Sequence, residues 1–400
     1  MDGASVRRAL GRNAPFAMGL ALGALTALAM GTLERRTELL HLSDFAGIWA
    51  GGRAVHIGVD PYDAGAWAAT TRLMGTQPPD TAVYGYTPWV ALAMIPLALL
   101  PLPVAAAVWS VGGIVLAIAG LVALMRARPV PPHAQAMFGF ALLASQPALT
   151  ALMVGQWSHV EVGALALASA SAIRARPVAT AMPLLAALAK PQLWLLTVPA
   201  LVARVPRAAV VLAPITAAIV AAAWLAFPGW CEAWTRHVAS VRAPDPPRAA
   251  TLASLMVEIV GSAGVPVAIV VAVAVVAVIA VRFGIATDAA LPAWLSASLL
   301  VAPYAWSYDW LLLVVPLALA IASLTPAHPR AALLLTLIGG ALLVLVAPVL
   351  YAAAVARGRE TLGALVPLGV ALSIVAFTWP LGGRRSPPPS PTTGGGTLSA

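Results

Sequence analysis

Residues 104–125, VAAAVWSVGGIVLAIAGLVALM, decide the fold class. Twenty-two residues without a charge reach about 33 Å as an α-helix, enough to cross the roughly 30 Å hydrocarbon core of a bilayer. Apolar runs, most of them about 15 to 22 residues long, recur along the chain, near 14–33, 137–153, 158–173, 178–190, 192–203, 207–227, 264–281, 288–302, 310–324, 331–350 and 362–380. Hydrophobic residues make up 61% of the 400 and charged residues 9%, far from the usual soluble balance of about half and a quarter. In lipid only helices and closed barrels satisfy the backbone, and the period-2 alternation of barrel strands is absent. The expectation is an all-α polytopic transmembrane bundle of about 11 to 13 spans over residues 14–380.

Charge sets an orientation. The segment MDGASVRRALGRN places Arg7, Arg8 and Arg12 ahead of the first apolar run, which is long for a cleaved signal peptide and reads as an uncleaved signal anchor. By the positive-inside rule residues 1–13 are cytoplasmic and residues 34–86 exterior. The short basic turns at Arg126/Arg128, Arg174/Arg176, Arg204/Arg207, Arg282, Arg330 and Arg384/Arg385 then mark the cytoplasmic side. The stretch 88–101, PWVALAMIPLALLP, resists. Its 14 residues reach about 21 Å, short of a full crossing. If it crosses, Arg126 and Arg128 fall outside; if it only dips in, they agree with the rest. The side faced by Lys190 depends on the answer.

Other classes are set aside by what is missing. Cys231 is the single cysteine, so neither an intramolecular disulfide nor a paired-cysteine site can form. The net charge of +9 comes from arginines scattered at helix ends, a topology signal rather than a nucleic-acid surface. No P-loop, dinucleotide-binding glycine fingerprint, HExxH or GxSxG occurs. No acidic cluster suggests a bound metal. The tail 381–400, rich in proline, serine and glycine, reads as a disordered cytoplasmic appendage.

The polar residues that remain fall in a few places. Two loops, 34–86 and about 228–263, are too long for simple connectors. The first holds six of the fourteen acids: Glu34, Glu38, Asp44, Asp60, Asp63 and Asp80. Phe45, Ile48, Trp49 and Val55 share one helical face there, which predicts a helix lying along the membrane surface. Asp44, at the membrane–water boundary beside Phe45 and Trp49, suits a general base; equally, Ser43 or Asp44 suits a helix cap. Asp60 as cap, Pro61 at the first position and Asp63 in the first turn predict a helix start. Arg53 can grip a phosphate, and His56 can face headgroups.

Lys190 stands alone as lysine against 22 arginines, inside the apolar run LLAALAKPQLWLLTVPAL. A charge in a span is a functional-site hypothesis, with ion pairing or snorkelling as the bland alternative. Gly155-Gln156-Trp157-Ser158-His159 joins two spans, where Gln156 and His159 can hydrogen-bond a sugar and Trp157 can stack on one; an interfacial tryptophan on a polar turn explains it as well. Glu161 follows as a first-turn carboxylate. Tyr304, Trp306, Tyr308 and Trp310 surround Asp309, which is either an N-cap within an aromatic belt or a site acid beside sugar-stacking rings. Trp230, Trp234, Arg236, His237, Arg242 and Arg248 make the second long loop basic and aromatic, fitting a phosphorylated ligand or lipid headgroups.

These pieces together resemble glycosyltransferase family 87. The resemblance rests on D-F-x-x-x-W-x-x-G-R-A-V-x-x-G-x-D-P-Y-D at Asp44–Asp63, Y-x-P before the apolar PLALLP at Tyr86–Pro101, Gly155–Gln156, Lys190–Gln192 and P-x-x-x-x-Y-D at Pro303–Asp309. It implies a GT-C-like membrane fold and transfer of a mannose- or arabinofuranose-type sugar from a polyprenyl phosphate to an exterior lipid or glycan. It further implies inversion at the anomeric carbon, Asp44 as general base, no metal or other cofactor, and residence in a bacterial inner membrane. Some members carry a histidine-rich element where this chain has Ser307-Tyr308-Asp309. Lys190 and Arg53 are the candidate phosphate ligands, with Gln156, His159, Tyr308 and Asp309 as further substrate contacts. The rival class, a secondary transporter or lipid-linked-sugar flippase, also uses interrupted helices and buried charge. The acids here crowd a loop rather than mid-span positions, which favours the enzyme.

Overall fold

The computed structural model describes residues 3–77, 82–242 and 248–379, with side chains of 3–12, 241 and 242 excepted. Asp80, the arginines of the first twelve residues, Arg384/Arg385 and the tail 381–400 therefore lie outside the described residues or side chains. The described chain is helical throughout. It runs α1 (Gly3–Ala29), α2 (Thr32–Leu39), α3 (Asp44–His56), α4 (Ala64–Leu73), α5 (Pro88–Ala98), α6 (Leu102–Ala127) and α7 (Pro132–Ala144). There follow α8 (Gln146–Val154), α9 (Ser158–Ile173), α10 (Pro177–Leu184), α11 (Thr197–Arg204), α12 (Arg207–Ala226) and α13 (Trp230–Arg242). Last come α14 (Leu252–Val260), α15 (Gly264–Phe283), α16 (Ala290–Leu300), α17 (Val314–Leu324), α18 (Pro329–Ala341), α19 (Ala347–Arg357) and α20 (Leu365–Thr378).

Among the described residues, seven helical stretches are long and apolar enough to cross a membrane, eight if the first apolar helix and the one after it, bent by 57°, count as one span. That is fewer than the 11 to 13 expected. The shortfall lies in short apolar helices such as α9, α10 with its continuation to Leu188, and α16, which are too short to count as full-length spans. The residues of α16 are all buried, as is nearly all of Ser307–Leu324. These two elements form the centre, and the outward-facing α12 and α15 are largely exposed along their apolar surfaces. Such surfaces are stable only against lipid.

Glycines fix how the helices run. A Cβ on Gly19 would strike Ala136, and one on Gly23 would strike Phe140, so α1 and α7 lie parallel at backbone contact. In the same way Gly113 meets His159 and Gly120 meets Gly163, so α6 and α9 are parallel. The α6–α9 pair places Arg126, Arg128, Arg174 and Arg176 at one face. Arg128 and Arg204 both pair with Asp288 at that face, and Arg282 reaches the Trp379 carbonyl there.

The stretch 88–101 does not cross. α5 is 11 residues long and folds back onto α3: Trp49 Nε1 donates to the Leu100 carbonyl at 3.1 Å, and a Cβ on Gly52 would touch Met94. The basic turns therefore stay on one face, as the second of the two readings requires. Two further expectations are corrected. α3 is a helix but does not lie on a surface; Phe45, Ala46, Ile48 and Ala50 are all fully buried, because Gly51 and Gly52 let Tyr84 and Met94 close over its remaining side. The helix expected from Asp60 begins later. Asp63 is the N-cap, accepting from Ala66 N at 2.8 Å, and Asp60 instead holds the preceding turn through Tyr62 N at 2.9 Å.

Candidate active site

A cavity of about 360 Å³ opens on the face opposite the paired arginines. It lies between an aliphatic core around α9, α16 and α17 and an aromatic core built from α3, α5 and the start of α13. Five of the seven residues singled out from sequence line it: Asp44, Gln156, Lys190, Tyr308 and Asp309.

Asp44 enters from the first turn of α3. Ser43 is the N-cap, its hydroxyl accepting from Ala46 N at 3.2 Å, so Asp44 is not spent on capping. The sharp turn 155–157 brings Gln156 alongside. Gly155 adopts φ 71°, and a Cβ there would come within 2.4 Å of the Phe45 Cβ; only glycine satisfies both demands. Gln156 Nε2 then donates to Asp44 Oδ2 at 2.5 Å.

Lys190 sits at the tip of a hairpin whose limbs are α10, continued by Leu185–Leu188, and α11, preceded by Pro191–Trp194. The 12 residues of Pro177–Leu188 reach about 18–22 Å from the arginine face, short of a hydrocarbon core. The tip is thus sunk within the apolar layer. Lys190 Nζ donates to Asp309 Oδ1 at 2.7 Å and lies 4.6 Å from the centre of the Tyr308 ring. Both partners of the pair are buried. Asp309 Oδ2 accepts from Trp306 N at 3.0 Å, so Asp309 is neither an N-cap nor a solitary acid: one oxygen closes its own turn and the other holds the lysine. Glu161, fully buried on α9, stands behind this wall with Lys190 and Asp309 as its charged neighbours.

Two expected site residues are elsewhere. Arg53 follows Asp44 by nine residues, about 900° of helix, and so projects from the opposite side of α3. Its Nη1 donates to the Ala98 carbonyl at 3.4 Å, joining α3 to α5, and it is not among the residues that line the cavity. His159, in the first turn of α9, is buried with Nε2 3.0 Å from the Leu142 carbonyl. Trp157 likewise packs on Trp109, ring centres 4.6 Å apart, instead of offering a stacking face to the cavity.

Aromatic residues supply much of the remaining wall. Trp234 and His237 reach in from α13, three residues apart on one face, and Trp234 Nε1 donates to the Gly85 carbonyl at 3.2 Å. Arg236 points away, paired with Glu232 at 3.5 Å. Tyr86, Gln192, Tyr304 and Trp306 complete the lining used below. Burial raises the hydroxyl pKa of Tyr86 and Tyr304, so both phenols stay protonated. Tyr86 and Gln192 stood in the sequence only as parts of the Y-x-P and Lys190–Gln192 motifs, and Trp234 only as part of the basic, aromatic second loop; none had a role in the site assigned to it.

The site thus combines a carboxylate, a buried cation and stacking rings in one recess. The model of glycosyltransferase family 87 matches residues 84–306, more than half of the 400. The chain belongs to glycosyltransferase family 87. It is a multi-pass membrane glycosyltransferase, and the transport alternative has no comparable support. No match was found among curated proteins or solved structures. The matched segment carries Gln156, Lys190 and the α13 wall; Asp44, Tyr308 and Asp309 lie outside it and join the site through the fold.

Proposed function

We propose that the enzyme moves a sugar of the mannose or arabinofuranose type from a polyprenyl phosphate onto a lipid or glycan acceptor, inverting the anomeric carbon. The observation that carries this reading is that Asp44 and Lys190 line a single cavity, with Lys190 at the tip of limbs too short to cross a bilayer. A nucleotide sugar needs no such burial, whereas a prenyl chain must stay in lipid while its phosphate meets a polar group.

In this mechanism Asp44 accepts the proton of an acceptor hydroxyl as that oxygen attacks the anomeric carbon. The bond from the anomeric carbon to the phosphate oxygen breaks, and the polyprenyl phosphate leaves with its bonding pair. The charge gained by the phosphate falls near Lys190. Its ammonium has three N–H donors, one already given to Asp309. It therefore meets the phosphate as a fixed, preorganised donor rather than as an unpaired charge. Tyr304, Trp306 and Trp234 provide flat apolar faces against which a sugar ring can stack. With the arginine face cytoplasmic by the positive-inside rule, the cavity opens on the exterior of an inner membrane.

The test is to incubate membranes containing the enzyme, or its Asp44→Ala variant, with labelled polyprenyl-phosphate mannose and arabinose and to analyse the lipid and glycan products. Transfer from one donor by the wild type, lost in the variant, is expected. Transfer from neither donor, or undiminished turnover in Asp44→Ala, rejects the reading.

A further inference from the structure

Gln156 was expected to bind a sugar, yet its amide is already engaged by the protein. Nε2 donates to Asp44 Oδ2 at 2.5 Å, and Oε1 accepts from Tyr86 Oη at 3.3 Å and from Trp157 N at 3.4 Å. The orientation of the amide follows from chemistry: an ionised carboxylate only accepts, so the NH₂ end must face Asp44 and the carbonyl end must face the phenol.

The surroundings hold this chain of groups rigidly. Tyr86 is anchored through its own carbonyl, which accepts from Tyr62 Oη at 2.6 Å. The Gly155 carbonyl accepts from Trp109 Nε1 at 3.0 Å. Trp109 in turn stacks on Phe45 at 5.9 Å, the residue next to Asp44. The base and the turn that carries Gln156 thus share one aromatic clamp, although 112 residues separate them.

We propose that Gln156, oriented by Tyr86, is a positioning residue that fixes the rotation of the Asp44 carboxylate relative to the acceptor hydroxyl. This rests on Asp44 being the base. By donating to Oδ2 the amide fixes the plane of the carboxylate, and a hydrogen bond donated to the ionised form keeps Asp44 ready to accept. The other ionisable groups facing Asp44 are Lys190 at the hairpin tip, Tyr304 and Tyr308 from the segment before α17, and Tyr86 itself. Asp309 is paired with Lys190, and His237 lines the same cavity from α13.

The test compares Gln156→Leu, Gln156→Glu and Tyr86→Phe with the wild type, using whichever polyprenyl-phosphate sugar the wild type consumes. The readouts are kcat and donor KM separately, the pH dependence of kcat/KM, and thermal unfolding as a check of folding. Gln156→Leu removes a donor to the charged form, so the acid limb should move to higher pH. Gln156→Glu sets a second carboxylate against Asp44 and should move it further, by about one pH unit or more. In both, kcat should fall about ten- to a hundredfold with donor KM little changed. Tyr86→Phe should shift the limb in the same direction by less, and it serves if the Gln156 variants do not fold. An unmoved acid limb together with a raised donor KM overturns the proposal and returns Gln156 to sugar binding. If Asp44→Asn is inactive while the Gln156 and Tyr86 variants keep the wild-type limb, the positioning role alone falls. Activity retained by Asp44→Asn would remove the base assignment and the latch with it.

Discussion

The two carboxylates of the cavity are held in opposite ways. Asp309 faces a lysine and closes its own turn, so both of its oxygens are committed, one of them to a full positive charge. Asp44 accepts from an amide, which orients it without adding a formal charge, while the same Lys190 ammonium faces it across the cavity. Two acids in one recess thereby acquire different work, the general pattern by which environment separates otherwise equal groups. The acid beside a neutral donor can accept a proton; the acid beside the ammonium is the strut that keeps the cation in place.

Substitutions can break this contrast. Asp44→Asn should cost most, about 10²–10⁴-fold in kcat with folding intact, because general-base catalysis is lost while the hydrogen-bonded shape survives. Asp309→Asn with comparable loss of kcat and unchanged stability would reverse the two assignments. Lys190→Ala should act on the fold as well as on the donor. It strands a buried aspartate, a loss of about 3–5 kcal/mol that thermal unfolding in detergent would register. The double variant Lys190→Met with Asp309→Leu sharpens the point: stability should return towards wild type while use of the polyprenyl-phosphate donor does not. Recovery of both would show the pair to be structural only. Arg53→Gln should be mildest, with donor KM within about twofold of wild type, since its side chain serves α5 and not the cavity. A tenfold rise in donor KM there would mean that the phosphate lies outside the recess described.

Much of this was legible in the chain, for reasons that can be named. Length and apolarity identify α6 or α15 without ambiguity, because lipid leaves no other conformation open. Position marked Lys190 and Asp44, each polar in an apolar setting. The pairing of Lys190 with Asp309 was not legible, since 119 residues separate them and no periodicity links two different helices. Arg53 could have been removed from the site on helical phase alone: nine residues from Asp44 means the far side of the helix. Asp60 and Asp63 were equally good caps by composition, and only the turn through Tyr62 separates them. Trp234 and His237 looked like any headgroup-facing aromatic stretch, because what makes them part of the site is the Gly85 backbone on another element.

The hairpin that lifts Lys190 into the apolar layer has a consequence for how the protein is made. Its cation emerges from the ribosome 119 residues before the carboxylate that will neutralise it, and neither short limb spans a bilayer unaided. An isolated ammonium at that depth is unfavourable by several kcal/mol. Settling of the hairpin is therefore coupled to the arrival of Ser307–Leu324, and the recess becomes a finished chamber only near the end of biogenesis.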